Sequence, residues 1–269
     1  MHKNGSRILL KVNGGVLMKR ILFIVVVFFF LSAHCLASDL LVFSGAGLIK
    51  PMEELKANFE KAHSITVDVH YGSSGEIFAG VAAGQPCDVL IPGAAKYTED
   101  ALKNGWVIED TITNLVLHVP LIAVPRGNPS KIQGFMDLIR PNVRVAIGDP
   151  KAPAIGRVAK QMLIKAGIWE KVKPNISVYA PTVNQLLIYA ALNQVDAAII
   201  WGDLVTWAEG KGKLEIVPIE RKYNIIKTIP TAVCTKAPHK DLALKFNAYI
   251  ASPEGMETWE KWGFEPCER

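Results

Sequence analysis

The common signatures of metal, nucleotide and hydrolase sites are missing from this 269-residue sequence. It has only four cysteines and six histidines, and neither a CxxC motif nor a cysteine–histidine spacing suits a metal ion. It contains no GKS or GKT phosphate loop, no GxGxxG dinucleotide fingerprint and no GxSxG nucleophile elbow. We therefore predict no protein-coordinated metal ion and no cofactor.

A hydrophobic run long enough to span a membrane is also missing, although the N-terminus is apolar. Met18, Lys19 and Arg20 precede an apolar run at residues 21–31, and small residues follow up to Ala37. This is the order of a secretory signal peptide, and the run is shorter than the ~20 residues of a membrane span. We predict a signal peptide over residues 1–37, with Met18 as an alternative initiator, and export to the periplasm. A retained membrane anchor, or a lipid on Cys35, is disfavoured.

Excess positive charge is absent once this leader is set aside. The whole chain has 30 Lys and Arg against 25 Asp and Glu, and residues 1–37 contain five Lys or Arg and no acid. The remainder is neutral, so its composition does not support a nucleic acid or an anionic membrane as partner. Three cysteines lie beyond residue 37, which allows at most one internal bridge plus a free thiol. A bridge from Cys234 to Cys267 is one open possibility.

Strand-like and helix-like patterns alternate from residue 40 onward. Residues 40–43 form a short apolar run, and residues 48–61 then place four apolar side chains on one helical face. A second series with the same plan begins near residue 143. Repeated alternation of this kind predicts an α/β fold with mostly parallel sheets flanked by helices.

The two series predict two similar domains joined by a strand hinge. The long apolar run at residues 115–124 is interpreted as a strand that leaves the first domain. We predict domain I over residues 38–122 and 204–269, and domain II over residues 123–203. No glycine- or serine-rich linker separates them, so strand crossings would form the hinge.

Four junctions at which a strand-like run passes directly into a helix are candidate anion sites. A helix start carries unpaired backbone N–H groups and the positive end of the helix dipole, and small residues allow a ligand to approach closely. One such junction is ordinary in an α/β protein, but four could converge on one ligand. They are residues 44–47, 72–75, 149–156 and 181–184.

Serine side chains at the first two junctions are candidate ligand groups. Ser44 offers a hydroxyl just before Gly47, and Ser73 and Ser74 lie between two glycines. Each of these residues could equally serve as an ordinary helix cap. A secreted hydrolase with Ser73 or Ser74 as nucleophile is a disfavoured alternative, because no base lies nearby in the sequence.

Aspartate and histidine residues elsewhere in the sequence are interpreted as structural rather than functional. Asp149 and Asp203 could accept a proton from a ligand, but capping of the following turns is favoured. His70, His118 and His239 have no carboxylate partner at ligand or triad spacing, so surface or core positions are favoured.

Only one cation, Lys151, lies in the four segments. An anion held there would depend on helix dipoles, backbone N–H groups and hydroxyls. Charge-assisted hydrogen bonds contribute roughly 1.5–3 kcal/mol each, so five to seven fixed donors could offset the desolvation of a small dianion. A shell made only of donors favours a fully ionised tetrahedral oxyanion.

The sequence resembles the periplasmic molybdate-binding proteins of ABC transporters, within the wider type II solute-binding fold. The resemblance runs from about Leu40 to Phe264. Several loose motifs carry it, and their joint order is specific. They are VFSGAGL at 42–48, YGSSG at 71–75, DVLIP at 88–92, AIGDP at 146–150, AAIIW at 197–201, SPEG at 252–255 and WGF at 262–264.

In that family an interdomain cleft holds the oxyanion through serine hydroxyls, backbone N–H groups and one tyrosine hydroxyl. By this resemblance Ser74 is the second-loop serine, and Ile155 and Val183 are backbone donors. Gly47 stands where the first-loop serine is usual, with Ser44 as a substitute. Trp201 stands where the tyrosine is usual and offers only an indole N–H.

The resemblance implies a monomeric, non-enzymatic carrier. We predict that it binds molybdate or tungstate as cargo between its two domains and delivers it to an ABC transporter permease in the membrane. Sulfate, thiosulfate or a small organic anion are alternative ligands. A ligand-sensing regulator with the same fold is disfavoured, because no helix-turn-helix segment precedes Leu40.

Overall fold

The computed structural model describes residues 38–151 and 153–268, and the predicted signal peptide lies outside them. Within these residues no helix is long and apolar enough to cross a membrane. The strands are β1 (Leu40–Gly45), β2 (Val67–Gly72), β3 (Val89–Ile91), β4 (Thr113–His118), β5 (Pro120–Pro125), β6 (Val145–Gly148), β7 (Ile176–Ala180), β8 (Ala197–Trp201), β9 (Leu214–Val217), β10 (Lys227–Val233) and β11 (Glu265–Pro266). The helices are α1 (Ile49–His63), α2 (Ser74–Ala82), α3 (Ala95–Lys103), α4 (Ala154–Lys165), α5 (Trp169–Val172), α6 (Val183–Ala191), α7 (Lys240–Ile250) and α8 (Pro253–Lys261).

The strands form two sheets, which share no core. The first has the order β11-β4-β10-β3-β1-β2, and the second has the order β7-β6-β8-β5-β9. We call the first sheet with α1–α3, α7 and α8 the first lobe, and the second sheet with α4–α6 the second lobe. The predicted α/β fold with two sheets flanked by helices is confirmed.

Alternating side chains explain why helices cover both faces of the first sheet. Val42 and Val89 belong to the core that contains Phe59 of α1 and Trp259 of α8. Their neighbours Phe43 and Leu90 belong instead to a second core with Ile77 of α2 and Ala101 of α3. Since successive strand residues point to opposite faces, one strand serves two cores.

The sheets are mixed rather than mostly parallel. In the first sheet β1 runs parallel to β2 and β3, but β10 runs antiparallel to both β3 and β4. In the second sheet β6 runs parallel to β7 and β8, whereas β5 runs antiparallel to β8 and β9. The strands on either side of each crossing between the sheets pair antiparallel with their neighbours. Repeated strand–helix units predict parallel pairing only, so this antiparallel pairing was not expected.

Strand pairing also differs from the predicted domain boundaries at 122/123 and 203/204. The apolar run at 115–124 is two strands, β4 and β5, which lie in different sheets on either side of Val119. All of β5 pairs within the second sheet. Strand β9 also pairs there, although it lies in the predicted domain I. The chain therefore changes sheets at Val119 and returns between Val217 and Lys227.

All three cysteines in the described residues are free. Cys87 and Cys234 are buried in the same core. A hydrogen bond with the Cys234 thiol, together with burial, raises the pKa of the Cys87 thiol. Cys234 thus faces Cys87, which the spacing of cysteines in the sequence did not reveal.

Asp88 joins three separate segments of the first lobe. Its buried carboxylate accepts the N–H of Leu41 at 2.8 Å and the N–H of His239 at 2.7 Å. The Nδ1 atom of His239 lies 3.0 Å from the same carboxylate. One side chain therefore ties the start of β3 to β1 and to the segment before α7.

We expect Asp88→Ala to lower the free energy of unfolding by about 3 kcal/mol, because two half-buried backbone N–H groups lose their buried acceptor. Urea unfolding followed by tryptophan fluorescence measures this. Asp88→Asn, which keeps one acceptor oxygen, should lose less. Wild-type stability in Asp88→Ala would contradict the assigned role.

Candidate functional site

The four predicted junctions meet at one cleft of about 600 Å³ between the two lobes. Two parallel strand pairs bring them there: Gly45 at the end of β1 lies beside Gly72 of β2, and Gly148 of β6 lies beside Ala180 of β7. The lining includes residues from each junction and from the crossings. It comprises Gly45, Ala46, Gly47, Leu48, Gly72, Ser73, Ser74, Gly75, Gly93, Ala94, Lys96, Tyr97, His118, Pro153, Ala154, Arg157, Val183, Trp201, Asp203, Leu204 and Lys227.

Local sequence explains why helices begin at this cleft. Ser73 caps α2 by accepting the N–H of Glu76 at 3.2 Å, and the Glu76 carboxylate accepts the Ser73 N–H at 3.3 Å. Thr182 caps α6 by accepting the N–H of Gln185 at 3.3 Å. Each cap occupies an N–H group of the first turn, while the helix as a whole still presents its positive end to the cleft.

The two serines of the second junction have different partners. Ser73 is the helix cap, as the structural interpretation of this loop proposed. Ser74 Oγ accepts the N–H of Gly93 at 3.0 Å, so its own proton remains available to a ligand. The structure gives neither hydroxyl a histidine partner among the described residues, whereas an activated serine nucleophile needs a base within hydrogen-bond reach.

Gly47 lines the cleft, but Ser44 does not. Ser44 belongs to the central strand β1, and its hydroxyl is fully buried with no hydrogen-bond partner among the described residues. A strand with neighbours on both sides and helices on both faces leaves Ser44 no path to solvent. The substitution of Ser44 for the missing serine at Gly47 is therefore not supported by its position.

The third junction reaches the cleft through the start of α4. Pro153 and Ala154 line the cleft, whereas the Ile155 side chain is buried in the second lobe. Ile155 could thus contribute only its backbone N–H. Gly156 permits close packing of the helix on its own strand, since a Cβ there would lie 2.5 Å from the carbonyl oxygen of Gly148. The glycine allows this approach of backbone to backbone, and it is not among the residues that line the cleft.

The fourth junction and the end of β8 form the remaining wall. Val183, the first residue of α6 and a predicted backbone donor, lines the cleft. Trp201 is also part of the lining, and its ring stacks on His118 with centroids 3.9 Å apart and planes 20° apart. Trp201 therefore packs against the other lobe at the point where the chain changes sheets.

The two aspartates have different environments. Asp149 accepts the N–H of Lys151 at 2.8 Å, which is the predicted turn cap. Asp203 is buried, and neither of its carboxylate oxygens accepts a hydrogen bond from the described residues. Its Oδ1 lies 2.9 Å from Nε2 of His118, close enough for an ion pair but outside the angles of a hydrogen bond. The capping interpretation is wrong for Asp203, and the fold gives His118 a carboxylate partner that sequence spacing did not predict.

Three cations that the sequence analysis missed line the cleft: Lys96, Arg157 and Lys227. Arg157 lies three residues after Ala154, a helical spacing that could have placed it beside the third junction. Lys227 had no local signal, because only the return of the chain to the first sheet brings it there. Burial of Lys227, and next the positive charge of Arg157, lower the pKa of the lysine.

The donor set suits an anion rather than a metal ion. In the part of the chain that the structure describes, no group of three or more His, Cys, Asp or Glu side chains could hold a metal ion. The cleft instead combines helix starts, the Ser74 hydroxyl and cationic side chains, all of which attract negative charge.

Comparisons with known proteins agree with this geometry. The sequence model of the bacterial extracellular solute-binding protein family matches residues 40–265. A binding protein of Haemophilus influenzae is 32% identical over 233 residues, which cover 86% of this chain and 93% of that protein. The molybdate-binding protein of Rhodobacter capsulatus is 24% identical over 230 residues, which cover 85% of this chain and 88% of that protein.

Solved structures support the fold. The substrate-binding domain of a molybdenum ABC transporter from Clostridium difficile superimposes with a TM-score of 0.74 at 23% identity, and the match covers 85% of this chain and 99% of that one. The resemblance found in the sequence motifs is confirmed. The chain belongs to the family of bacterial extracellular solute-binding proteins.

Proposed function

We propose that this protein binds a tetrahedral oxyanion group in the cleft and delivers the ligand to an ABC transporter permease. One observation carries the proposal: two parallel strand pairs, one in each lobe, bring four helix-start segments to a single cleft. The positive ends of the helices and the Ser74 hydroxyl would hold the group. The ligand is cargo, and neither a cofactor nor catalysis is required.

Molybdate and tungstate are the first ligands to test. The support comes from similar proteins, which include a molybdate-binding protein and the substrate-binding domain of a molybdenum transporter. Two positions depart from the pattern that the resemblance implies, because Gly47 and Trp201 replace hydroxyl-bearing residues. Sulfate, thiosulfate and small organic anions are therefore the competing ligands of the same role.

Closure of the lobes around the ligand would signal its presence to the permease. The chain changes sheets at Val119 and again between Val217 and Lys227, so these crossings are the natural hinge. Contacts from both lobes would favour the closed state, and a permease that recognises this state would receive only loaded protein. We propose that the protein acts as a monomer in the periplasm, where the predicted signal peptide would send it.

We expect Ser74→Ala to weaken oxyanion binding by roughly 10- to 100-fold, the equivalent of one charge-assisted hydrogen bond. Titration calorimetry with molybdate, tungstate, sulfate and thiosulfate measures the effect. Ser252→Ala is the matched control, because Ser252 also accepts a backbone N–H, that of Gly255 at 3.2 Å, but caps α8 outside the cleft lining. Equal affinities of Ser74→Ala and the control for every bound anion would reject Ser74 as a ligand group.

We expect Gly47→Ser to strengthen molybdate binding by about tenfold, provided that molybdate is the ligand. The change restores the hydroxyl implied by the resemblance. A Cβ at Gly47 would lie 3.7 Å from Cε1 of His118, an ordinary contact, so the fold should tolerate it. Unfolding temperature and calorimetric affinity are measured together. A stable variant with weaker molybdate binding would argue that Gly47 makes room for a larger ligand.

A further inference from the structure

Arg157 and Lys227 reach the same cleft from opposite lobes. Arg157 lies in the first turns of α4, and Lys227 is the first residue of β10. Both line the cleft. Within residues 38–151 and 153–268 neither side chain has a hydrogen bond or an ion pair. Two positive charges thus face the space where a ligand would lie, without a counter-ion from the protein.

Other cations of the described chain show what a structural role looks like. Lys96 also lines the cleft, but its ammonium group pairs with Asp100. Arg144 is bound by the Asp196 carboxylate at 3.1 Å. In each of these pairs a carboxylate of the protein neutralises the cation. Arg157 and Lys227 differ from these two cations because they line the cleft and form no ion pair among the described residues.

The acid of the cleft does not neutralise these two cations. Asp203 approaches His118 instead, and forms no ion pair with Arg157 or Lys227 among the described residues. Lys227 is half-buried, and the only charged group that shifts its pKa is the like charge of Arg157. Burial and repulsion both disfavour the ammonium ion, and the attraction of an anion between the two side chains would offset both.

The helix starts and the Ser74 hydroxyl already offer enough donors to hold one oxyanion group. The two cations therefore add positive charge that a bare tetrahedral ion does not require. Such an ion takes the space of three or four waters, about 100 Å³. The cleft measures about 600 Å³. Volumes of roughly 300–1,000 Å³ are typical of sites for small organic molecules. The two unpaired charges point to a second anionic group, and the volume of the cleft agrees with it.

We propose that Arg157 and Lys227 form a second anion subsite, and that the ligand is a small organic anion with two charged groups, a phosphate and a carboxylate. The phosphate would lie at the helix starts beside Ser74. The carboxylate would lie between the two cations, where the planar guanidinium can donate two parallel hydrogen bonds. This inference rests on the proposed function and names the class of ligand.

A matched pair of probes tests the second subsite. Phosphoglycolate and ethyl phosphate share a phosphate on a two-carbon chain, and only phosphoglycolate carries a carboxylate. We expect phosphoglycolate to bind the purified protein at least about tenfold more tightly than ethyl phosphate, and more tightly than molybdate or sulfate, by titration calorimetry.

Variants assign the difference to the two cations. In Arg157→Gln and in Lys227→Gln the preference for phosphoglycolate over ethyl phosphate should fall at least about fivefold, while ethyl phosphate affinity changes little. Lys160→Gln is the control, because it removes one positive charge from the same helix, where Lys160 lies 5.4 Å from the Trp169 ring. Ser74→Ala should weaken both probes alike.

The outcomes separate this inference from the proposed function. Tight molybdate or sulfate binding that depends on Ser74, with no gain from the carboxylate, would overturn the second subsite and leave the oxyanion role intact. A preference for phosphoglycolate that survives both Arg157→Gln and Lys227→Gln would also overturn it. Failure of every anion in both panels to bind would overturn both proposals.

Discussion

The cleft depends on one topological constraint, the parallel pairing of β1 with β2 and of β6 with β7. Parallel neighbours have their carboxyl ends at the same edge of a sheet, and a chain that continues into a helix must begin that helix at this edge. Each pair therefore provides two helix starts side by side. The two edges face each other across the cleft, so four helix starts lie close together. The topology of the two sheets is sufficient to bring them there, and no further sequence motif is needed.

The second constraint is that the connection between the sheets is made of strands. β4 ends at His118 and β5 begins at Pro120, so a single residue separates strands of different sheets. Asp203 and Trp201 from the second lobe contact His118 at this point. A crossing this short can bend, but it cannot let the lobes drift apart. The geometry suits the proposed closing motion, in which a few residues absorb the change.

Local features of this fold could be predicted from the sequence. The helices α2, α4 and α6 begin within two residues of the positions that apolar periodicity and small residues indicated. The junctions were recognisable because a helix start is specified by its own few residues. Most of the residues singled out there, including Gly47, Ser74 and Val183, do line the cleft. Ser44 does not line the cleft, because it is buried in a strand with neighbours on both sides. That burial depends on the assembly of the whole sheet, which the residues around Ser44 do not reveal.

Features that depend on distant segments could not be predicted. The partner of Asp203 is a histidine 85 positions earlier in the chain, and Lys227 enters the cleft only because β10 returns beside β4. The same reason explains the mixed sheets and the facing of Cys234 and Cys87. Sequence spacing measures distance along the chain, whereas pairing of β-strands brings together residues that are far apart in it. Lys151 was the only cation recognised in the four segments, and Lys227 was missed for this reason.

The unpaired cations also bear on how the lobes would respond to a ligand. Arg157 and Lys227 belong to different lobes, so their repulsion would oppose the proposed closure when no anion lies between them. An anion that contacts both removes this repulsion and adds attraction to each side. A ligand shifts the equilibrium between open and closed states only if its affinities for the two states differ. A ligand group that contacts one lobe alone binds both states almost equally. The charges that we infer to recognise the second anionic group would therefore also strengthen closure, because that group would add contacts with both lobes to those of the helix starts.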